Sequence, residues 1–145
     1  MWAHTVESQI GKNVTLLKHS VPESYIEAIN AFPDHYFDVI VIDGSHRSEC
    51  SQLADLKLSS NTGLIIFDNS EDPTYGAAID HLNASLPLRL DFWGLIPCYL
   101  YKSCTSFFIR NPQLLQTIPP PYQRKSELGE SGIQSLEIFK QSLER

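Results

Sequence analysis

Asp43 and the pair Asp68-Asn69 are the residues of this chain whose types and spacing most suggest chemistry. Each aspartate closes a short, β-rich apolar run, Phe37 to Asp43 in one case and Gly63 to Asp68 in the other. In open parallel sheets ligands bind outside the carboxyl ends of the strands. Neighbouring strands lie ~4.8 Å apart, so two carboxylates at matching ends can share one cation. Asn69 adds a neutral carbonyl oxygen, and such an oxygen set suits Mg²⁺ or Ca²⁺. An aspartate after a strand is also an ordinary turn former or helix cap. The coincidence of the two ends is what favours a site. Two bare carboxylates so close would repel, and a cation or a donor would relieve them. His46, three residues past Asp43, could serve as general base, metal ligand or substrate clamp. Arg47 beside it reads as a surface arginine, and His4, His35 and His81 as structural histidines.

These residues need a sheet to bring them together. The two apolar runs lack alternation, which fits strands covered on both faces, as in a parallel sheet with helices on each side. Between them Ser48 to Leu58 reads as a helix, with Cys50, Leu53, Ala54, Leu56 and Lys57 on one side and Asn61-Thr62-Gly63 closing it. Strand, helix, strand at this spacing is a βαβ unit. Upstream, Met1 to Ile10 reads as a helix and Asn13 to Leu17 as a further strand. A helix over Glu23 to Ala31 follows, entered at Pro22, with Ile26 and Ile29 on its inner face. Downstream, Pro73 opens a helix carrying Tyr75, Ala78, Ile79 and Leu82, followed by strands at Leu88 to Trp93 and Cys104 to Arg110. Residues 1–110 therefore read as one α/β domain. Residues 111–145 read as a Pro-rich linker, with Pro119-Pro120-Pro121, and a terminal amphipathic helix at Ile133 to Leu143.

At 145 residues the chain suffices for a single core. A formal charge of −6 argues against nucleic-acid backbones and anionic membranes as partners. No apolar run approaches the ~20 residues that span a bilayer. Cys50, Cys98 and Cys104 are odd in number and show no CxxC spacing, which suggests neither a disulfide framework nor a zinc site. A reducing cytoplasm is the default compartment.

The order of motifs resembles the C-terminal part of class I S-adenosylmethionine-dependent methyltransferases. The residues that carry the likeness are Val41-Ile42-Asp43-Gly44-Ser45-His46 and Ile65-Ile66-Phe67-Asp68-Asn69, with Leu95-Ile96-Pro97 and Cys104 to Ile109 as the closing segment. It covers roughly residues 2–110, and its metal motif is similar to that of catechol O-methyltransferase. The resemblance implies a Rossmann-like sheet, mostly parallel with a C-terminal antiparallel strand and helices on both faces. It places a metal on Asp43, Asp68 and Asn69, and puts His46 where that enzyme has a lysine base. It leaves His19, Ser20, Gly44 and Ser45 as what remains of the S-adenosylmethionine site.

The likeness stops short of the glycine-rich loop that such domains place after their first strand; the only early glycine here is Gly11. The expected domain therefore lacks its front half, and a bare sheet edge would need a second copy or a partner to cover it. Two functions follow from this. One is methyl transfer from S-adenosylmethionine to an oxygen of a small molecule, with metal assistance. The other is a non-catalytic remnant or interaction module that keeps the sheet and has lost the cofactor.

Overall fold

The computed structural model describes residues 2–95 and 100–117. The chain divides into two units, Met1–Pro112 and Gln113–Arg145, and all but the last of the elements that follow lie in the first. Helix α1 is Trp2–Glu7 and α2 is Pro22–Glu27, extended by a 3-10 turn at Ala28–Ala31. Strand β1 is Val39–Ile42, α3 is Arg47–Lys57 and β2 is Leu64–Phe67. A 3-10 turn at Pro73–Tyr75 leads into α4, Gly76–Ser85, and strands β3, Leu88–Leu95, and β4, Lys102–Ile109, complete the sheet. Pro112–Thr117 forms a last 3-10 turn.

The sheet order is β1-β2-β4-β3. β1 and β2 are parallel, in register from Val39 opposite Leu64 to Ile42 opposite Phe67. β4 runs antiparallel to both β2 and β3. The sheet is thus mixed, with one parallel pair and two antiparallel ones, and this corrects the mostly parallel sheet expected from sequence. The cause lies in the last two strands. They pair over eight residues, Leu88 opposite Ile109 through Leu95 opposite Lys102, and consecutive strands so joined must run antiparallel. β4 then occupies the place beside β2, so β3 becomes an edge.

Asn13 to Leu17 forms no strand. Val14 donates its N–H to Gly11 in a turn, and Val14 and Leu17 are half exposed. β-favouring residues make a strand only where a partner edge receives them. Among the described residues the outer edge of β1 stays unpaired, with Val39 and Val41 at 52% and 61% exposure. The Pro-rich stretch and the expected helix at Ile133 to Leu143 lie outside the described residues, as do Ile96 and Pro97.

The core sits on one face of the sheet. Ile42, Ile65, Phe67 and Phe108 pack there against Ala54 and Leu58 from α3 and its end, and against Ala78, Ile79, Leu82 and Leu86 from α4 and its end. The two long helices share this face, whereas helices on both faces are expected from sequence. The buried side of α3 is also narrower than the stripe expected. Ser51 and Ala54 are buried, whereas Leu56 is 48% exposed. A small residue lets the helix approach the sheet closely, and Ser51 returns its hydroxyl to the Ser48 carbonyl at 2.7 Å. Lys57 is buried through its ammonium, which reaches Phe32 O at 2.9 Å and Asp34 at 2.7 Å. That contact ties the turn after α2 to the end of α3. No helix among the described residues is long and apolar enough to cross a membrane.

Candidate functional site

The parallel register places Asp43 and Asp68 one residue past the paired Ile42 and Phe67, so they occupy matching strand ends as expected. The Asp68 N–H donates to Ile42 O at 3.1 Å, which carries the ladder to that point. Both chains then turn sharply. His46 has φ 55° and Asn69 has φ 53°, a left-handed conformation that residues with a side chain rarely adopt. Strained positions of this kind persist where the surroundings hold them, and they gather at functional sites.

The group that holds them is Arg47. It is the first residue of α3, and its side chain is only 12% exposed, so it is no surface arginine. Its Nε donates to Gly44 O at 2.9 Å, its Nη1 to Asn69 Oδ1 at 2.9 Å and to the Asp68 carbonyl, and its Nη2 to Asp43 Oδ1 at 3.2 Å. Asp68 Oδ2 lies 3.9 Å from Nη1, and Tyr75 covers the guanidinium with its ring centre 5.5 Å away. One planar cation therefore spans both strand ends, a geometry suited to arginine and not to lysine. The same spacing of carboxylates led the sequence reading to a metal. Here the relief of their repulsion comes from within the chain.

Whether the site also fits Mg²⁺ or Ca²⁺ can be judged from its donors. Asp43 Oδ1 and Asn69 Oδ1 already accept from Arg47, and Asp68 Oδ1 accepts from Thr105 Oγ1 at 2.6 Å. Asn69 Nδ2 is turned to Ser103 Oγ at 2.8 Å, which fixes the amide with its oxygen toward the guanidinium. A divalent ion would have to displace a positive charge and several hydrogen bonds, so the residues as arranged do not fit one. Among the described residues no group of three or more His, Cys, Asp or Glu side chains could hold a metal ion.

The four residues expected to touch the cofactor do come together. His19, Ser20, Gly44 and Ser45 line one cavity of about 510 Å³, and His46 lines it too. His19 and Ser20 belong to the irregular segment before α2, whereas Gly44 to His46 form the turn after β1, so the fold brings the two stretches together. Tyr25, Gly44 and Ser45 line both this cavity and a second, apolar one of about 280 Å³. Ile26, Ile29 and Phe32 wall the apolar cavity on one side, and Ile40, Ile42 and Ala54 on the other. Cys50 also lines it, and burial, with the nearby Glu49 charge, pushes its thiol pKa up.

Tyr25 explains the glycine of the turn. A Cβ on Gly44 would lie 2.4 Å from the Tyr25 hydroxyl oxygen, so the ring can close over the turn only if residue 44 has no side chain. The Tyr25 and His46 ring centres are 6.3 Å apart. Neither Tyr25 nor Arg47 was singled out from sequence. The one local sign of Arg47 is its place four residues after Asp43, a spacing that also describes many exposed helix pairs.

Family models, curated proteins and solved structures were all compared with the chain, and none matches it.

Proposed function

We propose that the chain binds S-adenosylmethionine in the cavity bounded by His19, Ser20, Gly44, Ser45 and His46, and acts as a methyltransferase on an oxygen nucleophile. The observation that carries the reading is the convergence of those five residues, from two distant stretches, on one cavity. The chemistry of the lining agrees. Ser20, Ser45 and the two imidazoles offer donors and acceptors for a ribose and an amino-acid group, and the adjoining apolar cavity offers aromatic and aliphatic walls for a flat ring.

The cofactor supplies an electrophilic methyl group on a sulfonium. The chain's part is to seat it, exclude water and take up the proton that the acceptor hydroxyl gives up. His46, at the cavity wall, takes that last role in this reading, histidine being the side chain most often used as a general base. Arg47 positions His46 and Asp43 by tying the turn to the second strand end. No step in this reading requires a divalent metal.

Isothermal titration with S-adenosylmethionine and with S-adenosylhomocysteine tests the proposal. Wild-type chain should bind both saturably, and Ser45→Trp, which fills the cavity from an exposed turn, should bind neither. Absence of heat with wild type at millimolar ligand would end it.

A second reading, an interaction module without cofactor, is favoured by a separate feature. Among the described residues β1 presents an unpaired edge and two exposed valines, Val39 and Val41, where edge strands are ordinarily guarded by charge or proline. A partner or second copy adding a strand there would pair that edge and flank the valines on their face of the sheet, and light scattering of wild type beside Val41→Lys would reveal it as a loss of assembly.

A further inference from the structure

A third cavity, of about 470 Å³, opens at the far side of the Arg47 cluster, between the end of β2 and the β3–β4 pair. Its wall includes Asp68 and Asn69, Phe92 and Gly94 of β3, and Ser103 and Thr105 of β4. Cross-strand register sets Phe92 opposite Thr105 and Gly94 opposite Ser103, so those four positions share one face of the ladder. Phe92 is 54% exposed yet braced, with its ring centre 4.8 Å from that of Phe107. It offers a fixed apolar surface.

The polar groups of the wall have unequal spare capacity. Asn69 accepts from Arg47 and donates one N–H to Ser103, which leaves it one N–H and one lone pair. Thr105 has given its proton to Asp68 Oδ1 and keeps lone pairs. Asp68 Oδ2 is 3.9 Å from Arg47, beyond hydrogen-bond reach, and its side chain is 33% exposed. The spare donors, the Ser103 hydroxyl, which accepts from Asn69, and the second Asn69 N–H, are both neutral, whereas the spare acceptor on Asp68 is charged. Charge points the same way. Arg47 is shared between Asp43 and Asp68, which leaves one negative charge uncompensated at the strand ends. Lys102, opposite Leu95, is exposed at the end where the two strands connect and alternates to the other face of the ladder from Ser103.

We propose that this cavity is a binding site for a small ammonium ligand with an apolar body, its N–H groups on Asp68 Oδ2 and Thr105 Oγ1 and its body against Phe92. The site stands independently of methyl transfer, since it uses none of the residues of the His19–His46 cavity. An ammonium matches spare acceptors beside a net negative charge, and an aromatic face adds attraction for a cation. A carboxylate ligand would meet Asp68 with like charge.

Gly94 provides a clean block. A Cβ there meets nothing within 4 Å, so a larger residue extends into open space without disturbing its neighbours. The test is a titration of ¹⁵N-labelled chain with benzylammonium, benzyl alcohol and benzoate, following the amides of Ser103 and Thr105. Benzylammonium should shift them saturably and bind about tenfold more tightly than benzyl alcohol, with benzoate inert. Asp68→Asn should erase the preference for the cation, and Gly94→Leu should abolish binding of both benzylammonium and benzyl alcohol. Equal binding of the three probes, preference for benzoate, silence of these amides, or binding that survives Gly94→Leu would each overturn the proposal.

Discussion

Replacing Arg47 with alanine removes four hydrogen-bond partnerships at once, and their surroundings set the size of the effect. The bonds to the Asp68 carbonyl and Asn69 Oδ1 are partly buried, whereas the Gly44 bond is exposed and Asp43 is 62% exposed. A charged donor in a partly buried bond contributes ~1.5 kcal/mol at the low end. An exposed ion pair such as Arg47–Asp43 adds ~0.5 kcal/mol. Against these, a cation in the first turn of α3 faces the positive end of the helix dipole, an opposing term of ~0.3–1 kcal/mol. The balance is a loss of about 3 kcal/mol, since bonds within one cluster do not add fully. For a two-state unit of this size that corresponds to a midpoint roughly 12 °C lower. Arg47→Lys keeps the charge but not the fork and should recover about 1 kcal/mol. Urea unfolding followed by far-ultraviolet circular dichroism, with thermal melts in parallel, measures both variants. If Arg47→Ala lies within ~0.5 kcal/mol of wild type, the ordinary range for an inconsequential surface change, Arg47 does not bind the strand ends together.

Three further outcomes follow from contacts elsewhere. Gly44→Ala should cost about 1–2 kcal/mol by driving residue 44 against the Tyr25 hydroxyl, and the cost should shrink in a Tyr25→Phe background; equal costs in both backgrounds would dissociate the glycine from the tyrosine. Gly63→Ala should destabilise by about 2 kcal/mol, because its Cβ would come within 2.3 Å of Leu58 Cγ and 2.5 Å of the Ser59 carbonyl oxygen, and an unchanged urea midpoint would contradict this. Asp91 is pulled two ways: desolvation raises its pKa, while hydrogen bonds from Ser106 at 2.6 Å and Arg89 at 2.7 Å, with the Arg89 charge, lower it, and the carboxyl lies below its usual value. A depressed folded pKa contributes stability in full above the unfolded value of ~3.9, and that stability is lost as pH falls through the folded one. Asp91→Asn should therefore flatten the acid limb of stability against pH, and a limb parallel to wild type would refute the assignment.

The elements nearest the site were the most legible in the amino-acid sequence. Val39 to Ile42 and Leu64 to Phe67 are short, apolar and β-branched, and the helix between them leaves parallel pairing as the natural solution, so the matched aspartates followed directly. The place of β4 was not legible, because it depends on a register between segments distant along the chain. Asn13 to Leu17 carries a strand-like composition, yet pairing is a property of two segments and not of one. Arg47 reads as a surface arginine for a related reason. Its decisive partners, Asp68 and Asn69, lie 21 and 22 residues away, and nothing local separates a clamping arginine from an exposed one. The oxygen set alone pointed to a cation, and its identity depended on which side chain the helix start delivers. On α3 an inward position went to Ser51, which a search for apolar periodicity passes over, while Leu56 of the expected stripe is half exposed.

The central claim is that His19 and His46, 27 residues apart in the chain, wall one S-adenosylmethionine site. The most direct measurement is a titration of the histidine ring protons by nuclear magnetic resonance, assigned with single His→Gln variants. Adding S-adenosylmethionine should move the His19 and His46 signals together along one saturation curve, while His35, held to the Leu58 carbonyl at 3.0 Å, and His81, near Asp55, stay in place. Signals of His19 and His46 that remain fixed, or that shift no more than those of His35 and His81, would contradict the account.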